Sequence, residues 1–98
     1  MDTIAIDALL RLPEVCRLTG RSKWMLYADI RARVFTRPVP LGRRAVGWPA
    51  SEVAALNQAR IAGAGVLDLQ TLVDALHAKR AAPAPPKPSP AAARPSAR

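Results

Sequence analysis

Hydrophobic positions along the chain fall into four stretches with helical spacing, interrupted once by a segment whose prolines break the period. The first, LPEVCRLTG, puts Pro13 at the first helical position, Glu14 at the positively polarised helix end and Gly20 as a stop. Val15 and Leu18 are expected to face inward. The second follows Ser22, a good N-cap, and runs KWMLYADIRAR, with Leu26, Ile30 and Tyr27 sharing a face. Only Gly20 and Arg21 separate the two. Two short helices across so tight a glycine turn, the second rich in bases, form a helix-turn-helix signature.

The interrupting segment is VFTRPVPLGRRAVGWP. Pro38 and Pro40 argue against helix and admit only an edge strand, with Val39 and Leu41 as its apolar residues. Gly42 allows positive φ at the turn, and residues 45–48 make the returning strand. The third helix starts near Pro49 or Ser51, with Glu52 in its first turn and Val53, Leu56 and Ile61 as its buried stripe. After a glycine break at residues 63–65, the last helical stretch repeats apolar residues at Val66, Leu69, Val73 and Leu76, widened by Leu72. That spacing is heptad-like over barely two heptads, too few for a coiled coil. The stripe either docks on the domain or pairs with another copy, and self-association or cooperative binding through Val66, Leu69, Val73 and Leu76 is the expectation.

A helix-turn-helix followed by a hairpin and a third helix is a winged helix-turn-helix order. The fold predicted is mainly α with a small β-hairpin: an N-terminal arm at 1–8, the winged domain at 9–62, an amphipathic helix at 66–80 and a tail from Ala81. The tail holds six of the ten prolines and no large apolar residue, so it cannot bury enough surface to offset its ordering entropy. It reads as disordered and partly polyproline II, an inert extension or, through Lys87, Arg94 and Arg98, a weak attraction for an anionic partner.

Charge sharpens this reading. The formal net charge is +8, and residues 9–48 hold nine bases (Arg11, Arg17, Arg21, Lys23, Arg31, Arg33, Arg37, Arg43, Arg44) against Glu14 and Asp29. Solubility would be served by charge spread anywhere, whereas concentration in a folded segment points to a polyanion, most often nucleic acid. B-DNA's major groove accepts one α-helix, with the start of the second helix of such a motif nearest the base edges; a neighbouring hairpin then reaches phosphates or the minor groove.

Other chemistries find no footing. No glycine-rich phosphate loop is present, the carboxylates are scattered, and Ser22 and Ser51 read as caps rather than nucleophiles, so no enzyme is expected. One Cys and one His, Cys16 and His77, do not make a metal set, and no cofactor is expected. A lone cysteine forms no internal disulfide, no apolar run approaches about 20 residues, and Asp2 stands where a signal peptide would be basic. A soluble, cytoplasmic protein is the expectation.

The stretch from Leu9 to Ala62 resembles the AlpA family of small prophage regulators, relatives of phage excisionases and of the N-terminal DNA-binding domain of MerR-type regulators. LRLPEV, the glycine-then-serine turn, LY on the second helix and RPVPLGRRAVGWPASEV carry the resemblance. It implies a recognition helix starting at Ser22, with Lys23, Trp24 and Met25 at its exposed leading end and Tyr27 and Arg31 further along. Arg43 and Arg44 would form the wing, Arg37 a phosphate contact, and Trp48 the support beneath the hairpin. The implied partner is double-stranded DNA, bound by a transcriptional regulator of a prophage or mobile element acting at the nucleoid. The alternatives are an excisionase-like DNA-bending factor, or a protein-interaction adaptor using the last helix, Trp24 and the tail.

The chain also departs from the family pattern. Trp24-Met25 stands where Ser-Thr is frequent, Ala28 where a polar or basic residue is, Arg21 for Leu, Arg33 for Gly and Thr36 for Pro. The loss of glycine at 33 leaves the second helix without its usual left-handed residue. Trp24 reads equally as a contact to a thymine methyl or sugar and as a protein contact. Tyr27 reads as a core residue or a phosphate donor, Arg17 and Arg60 as surface charges, and Cys16 as a small buried apolar residue.

Overall fold

The computed structural model describes residues 6–81. A short strand, β1 (Leu9–Leu10), leads into helices α1 (Leu12–Thr19) and α2 (Lys23–Arg31). A hairpin of β2 (Val39–Pro40) and β3 (Val46–Pro49) follows, then α3 (Ala50–Ile61) and α4 (Val66–Ala81). The architecture is mainly helical with one small antiparallel sheet. The expected tail beyond Ala81 and most of the N-terminal arm lie outside the described residues.

Local signals set the first helix pair. Pro13 occupies the first turn of α1, and Gly20 ends it with φ of 72°, donating its N–H to the Cys16 carbonyl at 2.9 Å. Ser22 Oγ accepts the Met25 N–H at 3.2 Å and so caps α2. The turn between the helices is tied down by Arg21, whose guanidinium donates to both carboxylate oxygens of Asp29 at 2.9 and 2.8 Å. Arg60 of α3 reaches the same carboxylate at 3.3 Å, so α2 is fixed to both its turn and α3 through one buried acid.

The sheet has the order β1-β3-β2, with Leu10 opposite Trp48 and Val39 opposite Gly47. β1 is an element that the apolar spacing does not announce. Gly47 sits in the middle strand where an added Cβ would meet the Leu10 carbonyl at 3.1 Å and a Leu41 methyl at 2.8 Å, so a larger residue would require Leu41 to move and would crowd the β1 backbone. Gly42, expected to supply a positive φ, does not adopt it. The hairpin turns over residues 42–44, closed by the Leu41 N–H to the Ala45 carbonyl at 2.8 Å, and a loop of that length reverses the chain without a left-handed residue there.

Val15, Leu26, Val34, Phe35, Trp48, Val53, Leu56, Leu69 and Val73 form one buried cluster drawn from all four helices, β3 and the connection after α2. Trp48 is its largest member. The indole packs edge-on to Tyr27 and Phe35, each at 6.4 Å between ring centroids, and Nε1 donates to the Thr36 carbonyl at 2.9 Å. Thr36, which replaces the family's frequent proline, is fully buried with no hydrogen-bond partner for its hydroxyl.

Two expected core positions are exposed. Ile61 is 79% exposed because five helical steps carry it about 140° round α3 from Leu56. Leu18 is 41% exposed in the last turn of α1, where Asn57 of α3 donates to its backbone carbonyl at 3.0 Å. Nor does Ser51 cap α3: Asp7 does so from outside the helix, accepting the Ser51 N–H at 2.9 Å and bonding its hydroxyl.

Helix α4 docks onto the rest of the chain. Leu69 and Val73 are buried, Leu72 and Leu76 half-buried, and of the four heptad-like positions only Val66 stays exposed. Polar ties flank the apolar contact. Gln70 Nε2 donates to the Ala32 carbonyl at 3.0 Å, and Arg33 forms a two-pronged ion pair with Asp74 at 2.7 and 2.9 Å. Arg33 itself takes φ of 64°, so the left-handed position after α2 is present without glycine. For an L-residue that conformation costs about 1 kcal/mol, offset in part by the bond to Asp74. At the far end of α4, Arg80 donates to both oxygens of Glu52 at 2.7 and 2.6 Å and to the Arg37 carbonyl at 2.7 Å. Glu52 is therefore more than a first-turn carboxylate: it is 4% exposed and held by a partner 28 residues away.

Candidate nucleic-acid interface

Helix α2 and the hairpin tip present the residues singled out in the sequence. On α2 the Ser22 cap fixes the first turn, after which Leu26 and Asp29 point inward and Lys23, Trp24, Met25, Ala28 and Arg31 outward. Trp24 is 76% exposed, and the Lys23 ammonium rests 5.3 Å from the centroid of its ring. Tyr27 is half-buried with its ring against Trp48, which places it at the seam between helix and hairpin rather than wholly in the core.

An open cleft runs along that seam, lined by Arg11, Leu12, Pro13, Lys23, Tyr27, Arg44 and Val46. It joins three expected residues, Lys23, Tyr27 and Arg44, and adds Arg11, which sequence reasoning counted only as part of the basic cluster. Arg11 is the residue just before the Leu-Pro start of α1, and it lines the same cleft as Lys23 at the start of α2. Arg43 is exposed at the hairpin tip, and Trp24, Met25 and Arg31 lie on the outward face of α2, outside the cleft. Arg37 is exposed but stands beside the end of α4.

The distribution of ion pairs makes this surface electrostatically one-sided. Glu14 pairs with Arg17, Asp29 with Arg21 and Arg60, Asp74 with Arg33, and Glu52 with Arg80. Arg17 thus proves to be an ordinary surface charge; its hydrogen bond and charge hold the Glu14 carboxyl below its usual range. Arg60 is instead part of the buried tie on Asp29. Among the described residues, Arg11, Lys23, Arg31, Arg37, Arg43, Arg44 and Lys79 have no carboxylate partner. Five of those seven belong to α2, the hairpin tip and the residue before α1.

His77 connects α4 to the segment leading into the hairpin. Its Nε2 accepts the Arg37 N–H at 3.1 Å and must be unprotonated to do so. Burial, then the nearby charges of Arg37 and Arg80, push its pKa down against the smaller opposing pull of Glu52 and Asp74. The unfolded chain therefore takes up this proton first as pH falls below the ordinary histidine value, about 6.5, and folded-state stability declines through the window beneath it. The expected result is a lower melting temperature at pH 5.5 than at pH 7.5, with the drop reduced in His77→Gln, whose amide oxygen can still accept the bond. An equal drop in both proteins would remove His77 from the account.

No helix of the described residues is long and apolar enough to cross a membrane. Comparison with known proteins places the matched region over this same surface. The family model described as prophage CP4-57 regulatory protein (AlpA) matches residues 8–61. An uncharacterized protein of Enterobacteria phage P4, ORF88, is 43% identical over 60 residues, spanning 61% of this chain and 68% of that protein. No solved structure matches the chain.

Proposed function

Because the chain belongs to the AlpA family of prophage regulatory proteins, we propose that it is a sequence-specific binder of double-stranded DNA acting as a prophage regulator. In this reading α1 and α2 are a helix-turn-helix and the β2–β3 hairpin is its wing. Helix α2 enters the major groove, while Arg43 and Arg44 lie on the adjacent backbone or minor groove. The observation that carries the reading is the convergence of Arg11, Lys23 and Arg44 on one cleft beside α2, none of them paired with an acid among the described residues. Cations left unpaired on a folded surface keep their full attraction for phosphates, and they steer approach from a distance.

Two rigid features support the geometry. The Asp29 tie to Arg21 and Arg60 fixes the angle of α2, and Trp48 beneath the hairpin fixes the direction of its tip. A reader of DNA gains affinity from such pre-organisation, because less ordering is left to the moment of binding. The protein binds rather than transforms its partner, in keeping with its family.

The test is titration of labelled duplex DNA with the full chain across ionic strengths. About 0.9 of a logarithmic unit per neutralised phosphate is expected in the slope of affinity against salt. Arg43→Ala/Arg44→Ala should reduce that slope by about one per lost phosphate contact, or cost roughly 1–3 kcal/mol where an arginine contacts a base edge. Binding that ignores ionic strength, or a double variant that binds as the wild type does, would end this reading.

A further inference from the structure

The outward face of α2 is more specialised than a generic basic helix. Successive helical residues are about 100° apart, so Trp24, Ala28 and Arg31 lie within one narrow stripe, opposite the buried Leu26. Met25, 45% exposed, flanks that stripe. Base-edge readout in the major groove normally relies on side chains with paired or multiple hydrogen-bonding atoms, such as Arg, Lys, Asn, Gln or Glu. Over the first six residues of α2 Lys23 is the one such side chain. Ser22 is engaged in capping, the Lys23 ammonium lies 5.3 Å from the centroid of the Trp24 ring, Tyr27 is set toward the hairpin with its ring against Trp48, and the outward-facing Trp24, Met25 and Ala28 offer hydrocarbon apart from the single indole N–H. Arg31 is the last residue of the helix.

A Trp left 76% exposed at the front of a helix is an apolar surface awaiting a partner. Charge decides which kind. Among the described residues Lys23 and Arg31 flank it without acid partners, and the one acid of α2, Asp29, is buried and already paired. That surround suits a polyanion and disfavours an apolar or basic protein surface. The base feature in the major groove that is apolar is the C5-methyl group of thymine, which stands proud of the groove floor. A broad indole and an adaptable thioether match it in size and polarisability.

We propose that Trp24 is the specificity-determining residue of this surface and selects thymine through its C5-methyl group, with Met25 and Ala28 completing the apolar contact. The proposal rests on the DNA-binding reading above and adds to it a base and the atom read. Where Arg11, Arg43 and Arg44 meet phosphates they position the helix and carry no base information, whereas the Trp24 contact does.

The experiment begins with duplexes selected by the full chain from random-sequence DNA. The recovered duplex is then remade with deoxyuridine replacing thymidine one position at a time, which deletes only the methyl group. At one or two positions binding by the wild type should weaken about fourfold per methyl lost. In Trp24→Ala, which alters an exposed side chain, the same replacements should weaken binding less than about twofold, while the salt dependence of binding stays steep. Trp24→Phe should keep part of the sensitivity. A selected duplex whose every thymidine tolerates deoxyuridine, bound with the usual steep salt dependence, overturns the thymine proposal and leaves DNA binding standing. Sensitivity that persists unchanged in Trp24→Ala assigns the methyl contact elsewhere and also overturns it. Absence of any salt-dependent DNA binding removes both.

Discussion

Trp48→Ala is expected to destabilise the protein by about 3–5 kcal/mol, the range for removing a large aromatic from a closed core. The side chain has no exposed surface, contacts Tyr27 and Phe35 edge-on, and satisfies the Thr36 carbonyl. Deletion therefore opens a cavity and leaves a buried acceptor unpaired at the same time. Total stability for small domains runs to about 5–15 kcal/mol, so the loss is a large fraction of what holds a domain of this size folded. Denaturant titration followed by far-ultraviolet circular dichroism reads the loss directly. Trp48→Phe, which keeps most of the volume but not the Nε1 bond, should fall between the two. A Trp48→Ala midpoint within 1 kcal/mol of the wild type would mean that the indole is not the support beneath the hairpin.

The second large effect belongs to Arg80→Ala. It leaves the Glu52 carboxylate, 4% exposed, without the guanidinium that satisfies both of its oxygens. Uncovering one member of a buried ion pair typically costs 3–5 kcal/mol, more than the pair itself contributes, because the remaining charge has neither water nor partner. The Arg37 carbonyl loses its donor in the same change. Glu52→Leu/Arg80→Leu removes both charges and should recover most of the stability. The contrast is the informative quantity: if the double variant unfolds as readily as Arg80→Ala, the loss comes from packing at the end of α4 and not from a stranded carboxylate.

What the sequence revealed and what it concealed divide by the range of the interactions. Caps and breakers act within a few residues, so Pro13, Gly20 and Ser22 announced α1 and α2, and Pro38 and Pro40 announced the edge of the hairpin. Strand β1 has two residues and exists only because Leu10 meets Trp48, a pairing with no local signal. The same holds for the acids. Glu14 finds its arginine one helical turn away, whereas Asp29, Asp74 and Glu52 find theirs across 31, 41 and 28 residues in Arg60, Arg33 and Arg80. Charge counting could locate the basic region but not tell which bases remain free within it. Arg11 entered the site that way, and Arg21 and Arg60 left the free surface. Leu18 was misplaced because periodicity says which residues share a face and not where a helix loses its neighbour, and Ile61 because it lies off the face that Val53 and Leu56 share.

Helix α4 begins at Val66, after the family-matched residues 8–61, yet Leu69 and Val73 belong to the same buried cluster as Trp48 and Phe35. The stretch of inheritance and the stretch of cooperative folding thus have different lengths in this chain. The helix that follows α3 is thus part of the scaffold on which α2 and the hairpin are held.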